Sequence, residues 1–172
     1  MGSGGTGVWG ISVTAAIRID AAQPDDAPAI APLVGALLDE IMQAIGVQAF
    51  HFNLVETTVR LQGFIEQGHY HVLVARCESE PAILGFAALY ESFALYAEGA
   101  FGTLAELYVS PAHRSHGIGT QLIDAAKALA QDKAWKRLEV TTPPLPQFDR
   151  TLTFYEREGF SVAGGKKLKL AL

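Results

Sequence analysis

A glycine-rich segment in the second half of the chain has residue types and spacing suited to binding an anion. Residues 107–110 read as a strand, Pro111 marks a turn, and Gly117 and Gly119 open an apolar pattern of helical period. The pattern therefore predicts a helix that begins at the glycine loop. Free N–H groups and the dipole at a helix N-terminus attract phosphate, and glycine lets the backbone approach it closely. The sequence thus predicts a phosphate-binding loop at residues 114–120.

A second segment of interest lies near the C-terminus and reads Phe154-Tyr155-Glu156-Arg157-Glu158-Gly159-Phe160. The first segment, Arg114-Ser115-His116-Gly117-Ile118-Gly119, resembles the acyl-CoA-binding motif of the GNAT superfamily of N-acetyltransferases. That motif is Arg/Gln-x-x-Gly-x-Gly/Ala after a strand, and the second segment is similar to another element of the same family. The resemblance covers roughly residues 15–172. It implies an enzyme that moves an acetyl group from acetyl-CoA to an amine by direct attack.

The resemblance also implies which residues bind acetyl-CoA. Loop N–H groups would bind the pyrophosphate, the preceding strand would pair with pantetheine like an added strand, and the arginine would bond phosphate oxygens. The family often has an asparagine where this chain has Phe148, so one contact to the cofactor is absent. The implied binding residues are Leu107, Tyr108, Val109, Arg114, Ser115, His116, Gly117, Ile118, Gly119 and Thr120.

Two side chains are implied to carry the proton transfers. Tyr155 matches the tyrosine that protonates the departing CoA thiolate in many members, a task that suits a phenol with a pKa near 10. Glu106 lies on the strand where many members place a carboxylate base, which would take a proton from the amine directly or through water. Glu91 and Glu98 flank the same hairpin, and either could be the base or could bind a cationic substrate.

The remaining elements follow from periodicity and from glycine and proline signals. Asn53 and Glu56 resemble a capping box, and Gly46 marks the end of the helix before them. The sequence predicts strands at 15–20, 71–76, 82–90, 103–110, 137–142, 160–163 and 166–170. It predicts helices at 25–46 and 53–67, from the glycine loop to about 132, and from 149 to 159.

The order of these elements predicts an α/β (α+β) fold. Short breaks between the middle strands indicate antiparallel pairing, whereas helices after the strands at 103–110 and 137–142 indicate a parallel pair. We therefore expect a GNAT-like mixed, mainly antiparallel sheet of about seven strands with helices on both faces. The resemblance adds that the two parallel strands splay apart to admit the cofactor. Residues 13–172 would form this single domain, and residues 1–12 a flexible tail or an expression scar.

Composition restricts the partners. The chain has 172 residues, 49% of them hydrophobic and 18% charged, which suits one folded domain. A formal net charge of −5 lacks the basic footprint of a nucleic-acid binder. We expect no membrane span, because no apolar run reads as long enough. The lone Cys77 fits a reducing cytoplasm, and His69 and His71 lack a third ligand at recognisable spacing, so no metal is expected.

The sequence does not identify the acceptor. The acidic net charge suits a cationic amine on a small metabolite or a peptide, and a homodimer is left open. One alternative is a non-catalytic acyl-CoA-binding module of the same fold. The other is a dinucleotide-binding oxidoreductase domain, which is disfavoured because Leu122 occupies its third glycine position.

Overall fold

The computed structural model describes residues 16–172, so the tail predicted at 1–12 and the domain boundary at 13 lie outside the described residues. The described part of the chain contains five strands and four α-helices. In chain order these are β1 (Ile17–Ala21), α1 (Ala27–Ile45), α2 (Leu54–Glu66), β2 (His71–Cys77), β3 (Glu80–Ala94), β4 (Gly99–Val109), α3 (Ile118–Asp132), β5 (Leu138–Val140) and α4 (Asp149–Arg157).

The five strands form a single mixed sheet in the order β1-β2-β3-β4-β5. Strands β1 to β4 pair antiparallel with their neighbours, and β5 pairs parallel to β4. This arrangement confirms the mixed, mainly antiparallel fold class. It also differs from the parallel sheet of a dinucleotide-binding domain, because four consecutive strands run antiparallel.

Helices cover both faces of the sheet, as predicted. On one face α3 buries Leu122 in a cluster that includes Leu89 of β3. On the other face Ile30 of α1 and Leu61 of α2 pack in a cluster with Phe86. Because side chains alternate along a strand, each strand residue faces either α3 or the α1–α2 pair. This division decides which candidate residues can meet.

The helix boundaries follow from local signals that the sequence carries. The Asn53 side chain accepts a hydrogen bond from the N–H of Glu56, with Oδ1 and N 3.0 Å apart, and so caps α2. Gly46 ends α1 in the left-handed conformation with φ of 68°, which glycine adopts without steric cost. The N-cap of α2 and the C-cap of α1 are therefore present, but of the predicted capping box only the bond to the Asn53 side chain is formed in the described structure.

The predicted C-terminal hairpin at 160–163 and 166–170 is wrong. The described residues contain no strand after β5, so the sheet has five strands there rather than about seven. Phe160 still packs against the core, but all residues from 161 to 172 are exposed. The alternating pattern of this segment predicted strands, yet no strand of the described sheet pairs with it, and pairing is what stabilises a strand.

The expectation about apolar runs also needs correction. The segment Pro24–Ile45 is long and apolar enough to cross a membrane by length and composition. Ala27, Ile30 and Ala31 of this segment are fully buried in the described structure, and 22% of the apolar stretch is buried. The helix carries Glu40 on another side, where the carboxylate pairs with Arg114.

Candidate active site

The parallel strands β4 and β5 separate along their length and leave one edge of β4 open. They pair only from Gly102–Leu138 to Leu104–Val140, whereas β4 continues to Val109. The N–H of Ser110 donates a hydrogen bond to the Leu84 carbonyl, with N and O 2.8 Å apart. Because the main-chain groups of successive strand residues point alternately to the two edges of the strand, this bond fixes which residues of β4 face β3. It directs the main-chain groups of Tyr108 toward β3 and those of Leu107 and Val109 toward the open edge. An extended ligand could therefore pair with these two residues.

The glycine loop follows the open edge directly and ends in free N–H donors. In the described structure none of the main-chain N–H groups of residues 115–120 has a hydrogen-bond acceptor. Gly117 has φ of 79°, and a Cβ added there would have no atom within 4 Å, so the space in front of it is open. These donors stand at the N-terminus of the 15-residue helix α3. The loop thus has the donors, the dipole and the room that a pyrophosphate requires.

The Arg114 side chain has other partners than the phosphate expected for it. Its two terminal nitrogens donate to both Glu40 oxygens, at 2.9 and 2.7 Å, and its Nε donates to the Val109 carbonyl at 2.8 Å. The guanidinium also lies 5.3 Å from the centre of the Tyr108 ring. Arg114 therefore connects the end of β4 to α1. Its main-chain N–H points back to the turn, 3.4 Å from the Pro111 carbonyl.

Tyr155 lies on α4, which packs against the first turn of α3. A Cβ on Gly119 would come within 3.2 Å of Phe154 Cζ, which is closer than ordinary van der Waals contact, so the ring would have to shift by a few tenths of an ångström to admit it. The Thr120 hydroxyl donates to Glu158 Oε1 at 2.7 Å and links the same two helices. Tyr155 is buried in the cluster on the α3 face, and this burial raises its pKa to about 12. A phenol with such a pKa stays protonated at neutral pH and is available as a proton donor.

Glu106 lies on the opposite face of the sheet because of a bulge in β4. Ala88 pairs with Glu106 but Leu89 pairs with Leu104, so Ala105 is an extra residue and the alternation of faces changes there. Leu104 belongs to the α3 cluster, whereas Ala88 belongs to the α1–α2 cluster and Glu106 shares its face.

The Glu106 carboxyl group is buried and incompletely hydrogen-bonded. Its Oε2 has no hydrogen-bond partner in the described structure. Burial raises the pKa of Glu106 to about 7, although a hydrogen bond from Tyr70 lowers it in part. A carboxylate with this pKa is a suitable general base near neutral pH, because it is ionised in a large fraction of molecules and still binds a proton.

The other two carboxylates considered as bases are poorly placed. Glu91 points to the α3 side of the sheet, where its Oε2 accepts a hydrogen bond from Trp135 Nε1 at 2.6 Å. Glu98 is exposed in the turn between β3 and β4. Glu106 alone among the three lies beside the open edge of β4.

Sequence reasoning missed Tyr70, which interacts with Glu106, and the part played by Tyr90, whose ring stacks on Tyr70. The rings of Tyr70 and Tyr90 are nearly parallel, with centroids 6.0 Å apart. Tyr70 immediately precedes β2 and Tyr90 lies in β3 opposite it, one step beyond the pair His71–Leu89. The signal was available, because both tyrosines stand at the same end of two strands predicted to be antiparallel.

Residues 16–172 contain no group of three or more His, Cys, Asp or Glu side chains that could hold a metal ion. The described site thus consists of an open strand edge, a loop of free N–H groups, a buried carboxyl and a buried phenol. Main-chain donors for a phosphate, a free strand edge and two proton-transfer groups are what acyl transfer from an acyl-CoA requires.

Comparison with known proteins identifies the family. Residues 68–162 match the sequence profile of the acetyltransferase (GNAT) domain. An uncharacterized N-acetyltransferase of Bacillus subtilis (strain 168), YhfO, is 30% identical over 147 residues, which are 84% of this chain and 89% of that protein. The chain belongs to the GNAT family, and the protein is an acetyl-CoA-dependent N-acetyltransferase.

One further relative and one solved structure are also similar to this chain. Thialysine N-epsilon-acetyltransferase of Bos taurus is 32% identical over 94 residues, covering 51% of this chain and 55% of that protein. The alignment therefore spans about half the length of that relative. The crystal structure of the aminoglycoside acetyltransferase meta-AAC0020 in complex with sisomicin superposes with a TM-score of 0.71 at 20% identity. The superposition covers 91% of this chain and 96% of that chain. At 20% identity this similarity establishes a shared fold and nothing about the substrate.

Proposed function

We propose that the protein acetylates an amine of a small metabolite or peptide, with Glu106 as the base and Tyr155 as the acid. The observation that carries the assignment is the buried Glu106 carboxyl, whose Oε2 lacks a partner in the described structure, beside the open edge of β4. A structural carboxylate in such a place would need hydrogen bonds to offset its burial. A carboxylate that binds an incoming amine obtains its missing donor from the substrate.

The open edge of β4 and the loop before α3 provide the main-chain groups for two parts of acetyl-CoA. The main-chain groups of Leu107 and the N–H of Val109, whose carbonyl accepts from Arg114, pair with pantetheine, and N–H groups between Ser115 and Thr120 bind the pyrophosphate. Acetyl-CoA supplies the activated acetyl group. The side chain of Arg114 contributes by holding the end of β4 to α1, since its donors are occupied by Glu40 and Val109.

The two proton-transfer groups lie on opposite faces of the sheet. Glu106 shares the face of the α1–α2 cluster, and Tyr155 belongs to the α3 cluster together with Leu107 and Val109. The cationic acceptor approaches from the Glu106 side and gives one proton to that carboxylate, and the lone pair freed in this way attacks the thioester carbon. As the C–N bond forms and the C–S bond breaks, Tyr155 donates its proton to the leaving sulfur. The second proton lost by the nitrogen returns through solvent to the Tyr155 oxygen, and Glu106 releases its proton to solvent. Each general acid or base contributes typically ~10²–10⁴-fold in rate.

The acceptor we infer is a cationic amine, and the site of action we infer is the cytoplasm. The net charge of −5 favours encounter with cations, and the relative from Bos taurus is by its name an acetyltransferase for the epsilon nitrogen of thialysine. The single cysteine of the sequence, Cys77, has a half-buried free thiol, which fits a reducing compartment. A homodimer is a further prediction, which light scattering of the purified protein would test.

A panel of acceptors tests the proposed function directly. The protein is mixed with acetyl-CoA and diamines, aminoglycosides, amino acids or peptides, and free CoA and acetylated product are both quantified. We expect equal amounts of the two with at least one cationic amine. Glu106→Gln should abolish most of this turnover, whereas Glu98→Gln, which changes an exposed turn carboxylate, should not. Tight acetyl-CoA binding without product across the panel would instead indicate a non-catalytic acyl-CoA-binding module.

A further inference from the structure

A cluster of two tyrosines and one glutamate lies on the α1–α2 face of the sheet; we call Tyr70, Tyr90 and Glu106 the tyrosine–glutamate cluster. Tyr90 pairs with Thr103 in the ladder, and Ala88, next along the same face of β3, pairs with Glu106. Ala88 is buried, and its side chain on this face is a single methyl group. The two nearly parallel tyrosine rings, with centroids 6.0 Å apart, lie in the second half of β3 and just before β2 on the same face.

The cluster combines a buried carboxyl with aromatic surface and includes no cationic side chain. None of the ion pairs formed within residues 16–172 includes Glu106. Within the described part of the chain, the side chain whose interaction lowers the pKa of this carboxyl in part is Tyr70, which carries no charge at neutral pH. Leaving a buried carboxylate oxygen without a donor is costly. A cation that enters from solvent would therefore find a site whose attractive groups are already in place.

The two rings differ in how accessible their faces are. Phe64 of α2 packs on Tyr70 with ring centroids 5.1 Å apart, and Tyr90 lies on the other side, so Tyr70 is enclosed. Tyr90 is 37% exposed, which leaves part of its ring open to solvent. An aromatic face within about 6 Å attracts an ammonium group through the ring quadrupole, most strongly where water is excluded. Tyr90 is thus the ring that an arriving cation meets first.

We propose that Tyr90 and Tyr70 form the aromatic wall of the acceptor site and select alkylammonium acceptors, which they bind next to Glu106. The inference rests on the proposed function, because it treats the side of β4 that carries Glu106 as the acceptor side. The ammonium lies against the Tyr90 ring, and its N–H groups reach the Glu106 oxygen that lacks a partner. Tyr70 is a positioning residue that orients the carboxyl through its hydroxyl. A neutral or anionic acceptor obtains no comparable attraction.

The binding of two probes that cannot be acetylated on nitrogen tests this selection. Choline carries a quaternary ammonium group, and 3,3-dimethyl-1-butanol is its neutral isostere. Binding of each probe to the protein saturated with CoA is measured by calorimetry or by ligand-observed NMR. We expect choline to bind more tightly than the alcohol. Tyr90→Leu should weaken choline binding by about 3- to 30-fold with little change for the alcohol, whereas Tyr90→Phe should retain the preference.

Phe93→Leu serves as the matched control, since it makes the same kind of change on the same strand at a side chain that is 75% exposed. It should leave the affinities for both probes unchanged. If Tyr90→Leu loses affinity for choline and for the alcohol to the same extent, the proposal is overturned, because the ring would then act by packing alone. If Tyr90→Leu fails to fold, the wild-type comparison decides: equal affinities for the two probes would reject the aromatic wall. Because binding of either probe requires no acetyl transfer, a failure of the proposed function is detected separately in the acceptor panel.

Discussion

Replacing Gly117 by aspartate and, in parallel, by asparagine tests whether the glycine loop binds a pyrophosphate. The two new side chains have nearly the same shape and differ in charge. Gly117 is in the left-handed region with φ of 79°, and asparagine and aspartate tolerate that region better than other non-glycine residues. Both also suit the first position before a helix. The strain should therefore be similar in the two variants, about 1 kcal/mol each.

The charge should separate the two variants in their affinity for acetyl-CoA. A carboxylate about 6 Å from one phosphate charge meets a repulsion of about 3 kcal/mol at an effective dielectric constant of ~20. The loop is exposed, and solvent and salt reduce this to about 1–2 kcal/mol. We therefore expect Gly117→Asp to bind acetyl-CoA about 5- to 30-fold more weakly than Gly117→Asn.

Calorimetric titration with acetyl-CoA at low and high salt measures this ratio. It should shrink as salt increases, because the repulsion is screened. Thermal unfolding is the control: both variants should lose about 2–4 °C in Tm, in line with a shared strain of about 1 kcal/mol. Equal affinities of the two folded variants at low salt would refute the placement of the pyrophosphate at this loop.

Three further substitutions examine the acid, the base and the contact between α3 and α4. Tyr155→Phe keeps the ring but removes the proton donor, so kcat should fall about 10-fold or more while acetyl-CoA affinity stays nearly constant. In the wild type kcat/KM should rise with pH through about 7 as Glu106 ionises, and Glu106→Gln should remove this limb. Burial raises the pKa of Glu106 above its ordinary value of 4.5, so the folded state holds that proton more tightly than the unfolded chain. As the pH rises from 4.5 to about 7, the ionisation of Glu106 therefore lowers the stability of the fold. Glu106→Gln should accordingly raise Tm relative to wild type. The increase should be larger at a pH about one unit above 7 than at a pH below 4.5. Gly119→Ala places a methyl group 3.2 Å from Phe154 Cζ and should destabilise the protein by about 1 kcal/mol, which Phe154→Leu should partly reverse.

Each of these expectations has a result that contradicts it. Wild-type turnover by Tyr155→Phe, where chemistry limits the rate, would make Tyr155 a packing residue and water the proton donor. An unchanged pH profile for Glu106→Gln would assign the base to another group. If Gly119→Ala unfolds at the wild-type temperature, the first turn of α3 does not depend on close contact with Phe154.

Local signals in the sequence were sufficient for the helices and for the glycine loop. Asn53 and Gly46 act within one turn of themselves, because a cap bonds the nearest N–H group and glycine adopts a left-handed conformation by itself. The loop before α3 is equally local: its N–H groups are free because they begin a helix. The order of strands and helices, read from these elements, was enough to predict a mixed sheet with helices on both faces.

Those signals did not decide whether every predicted strand finds a partner, because a strand depends on residues that are distant in the sequence. The alternating residues after Phe160 indicated two strands, but in the described structure no partner pairs with them and they stay exposed. The partners of Arg114 could not be predicted either. Glu40 lies 74 positions earlier in the chain, and only the packing of α1 brings it to the arginine.

The sequence by itself determined that a helix with free N–H groups follows a strand, and that a tyrosine and several carboxylates stand near that strand. The tertiary structure decided which of them can act together. Simple alternation along β4 would place Glu106 on the same face as Leu104, in the α3 core, and the bulge at Ala105 places it on the other face instead. That single extra residue sets the carboxyl beside Tyr70. The physical reason is that a bulge forms only in a paired strand, so its effect exists only once β3 and β4 have come together.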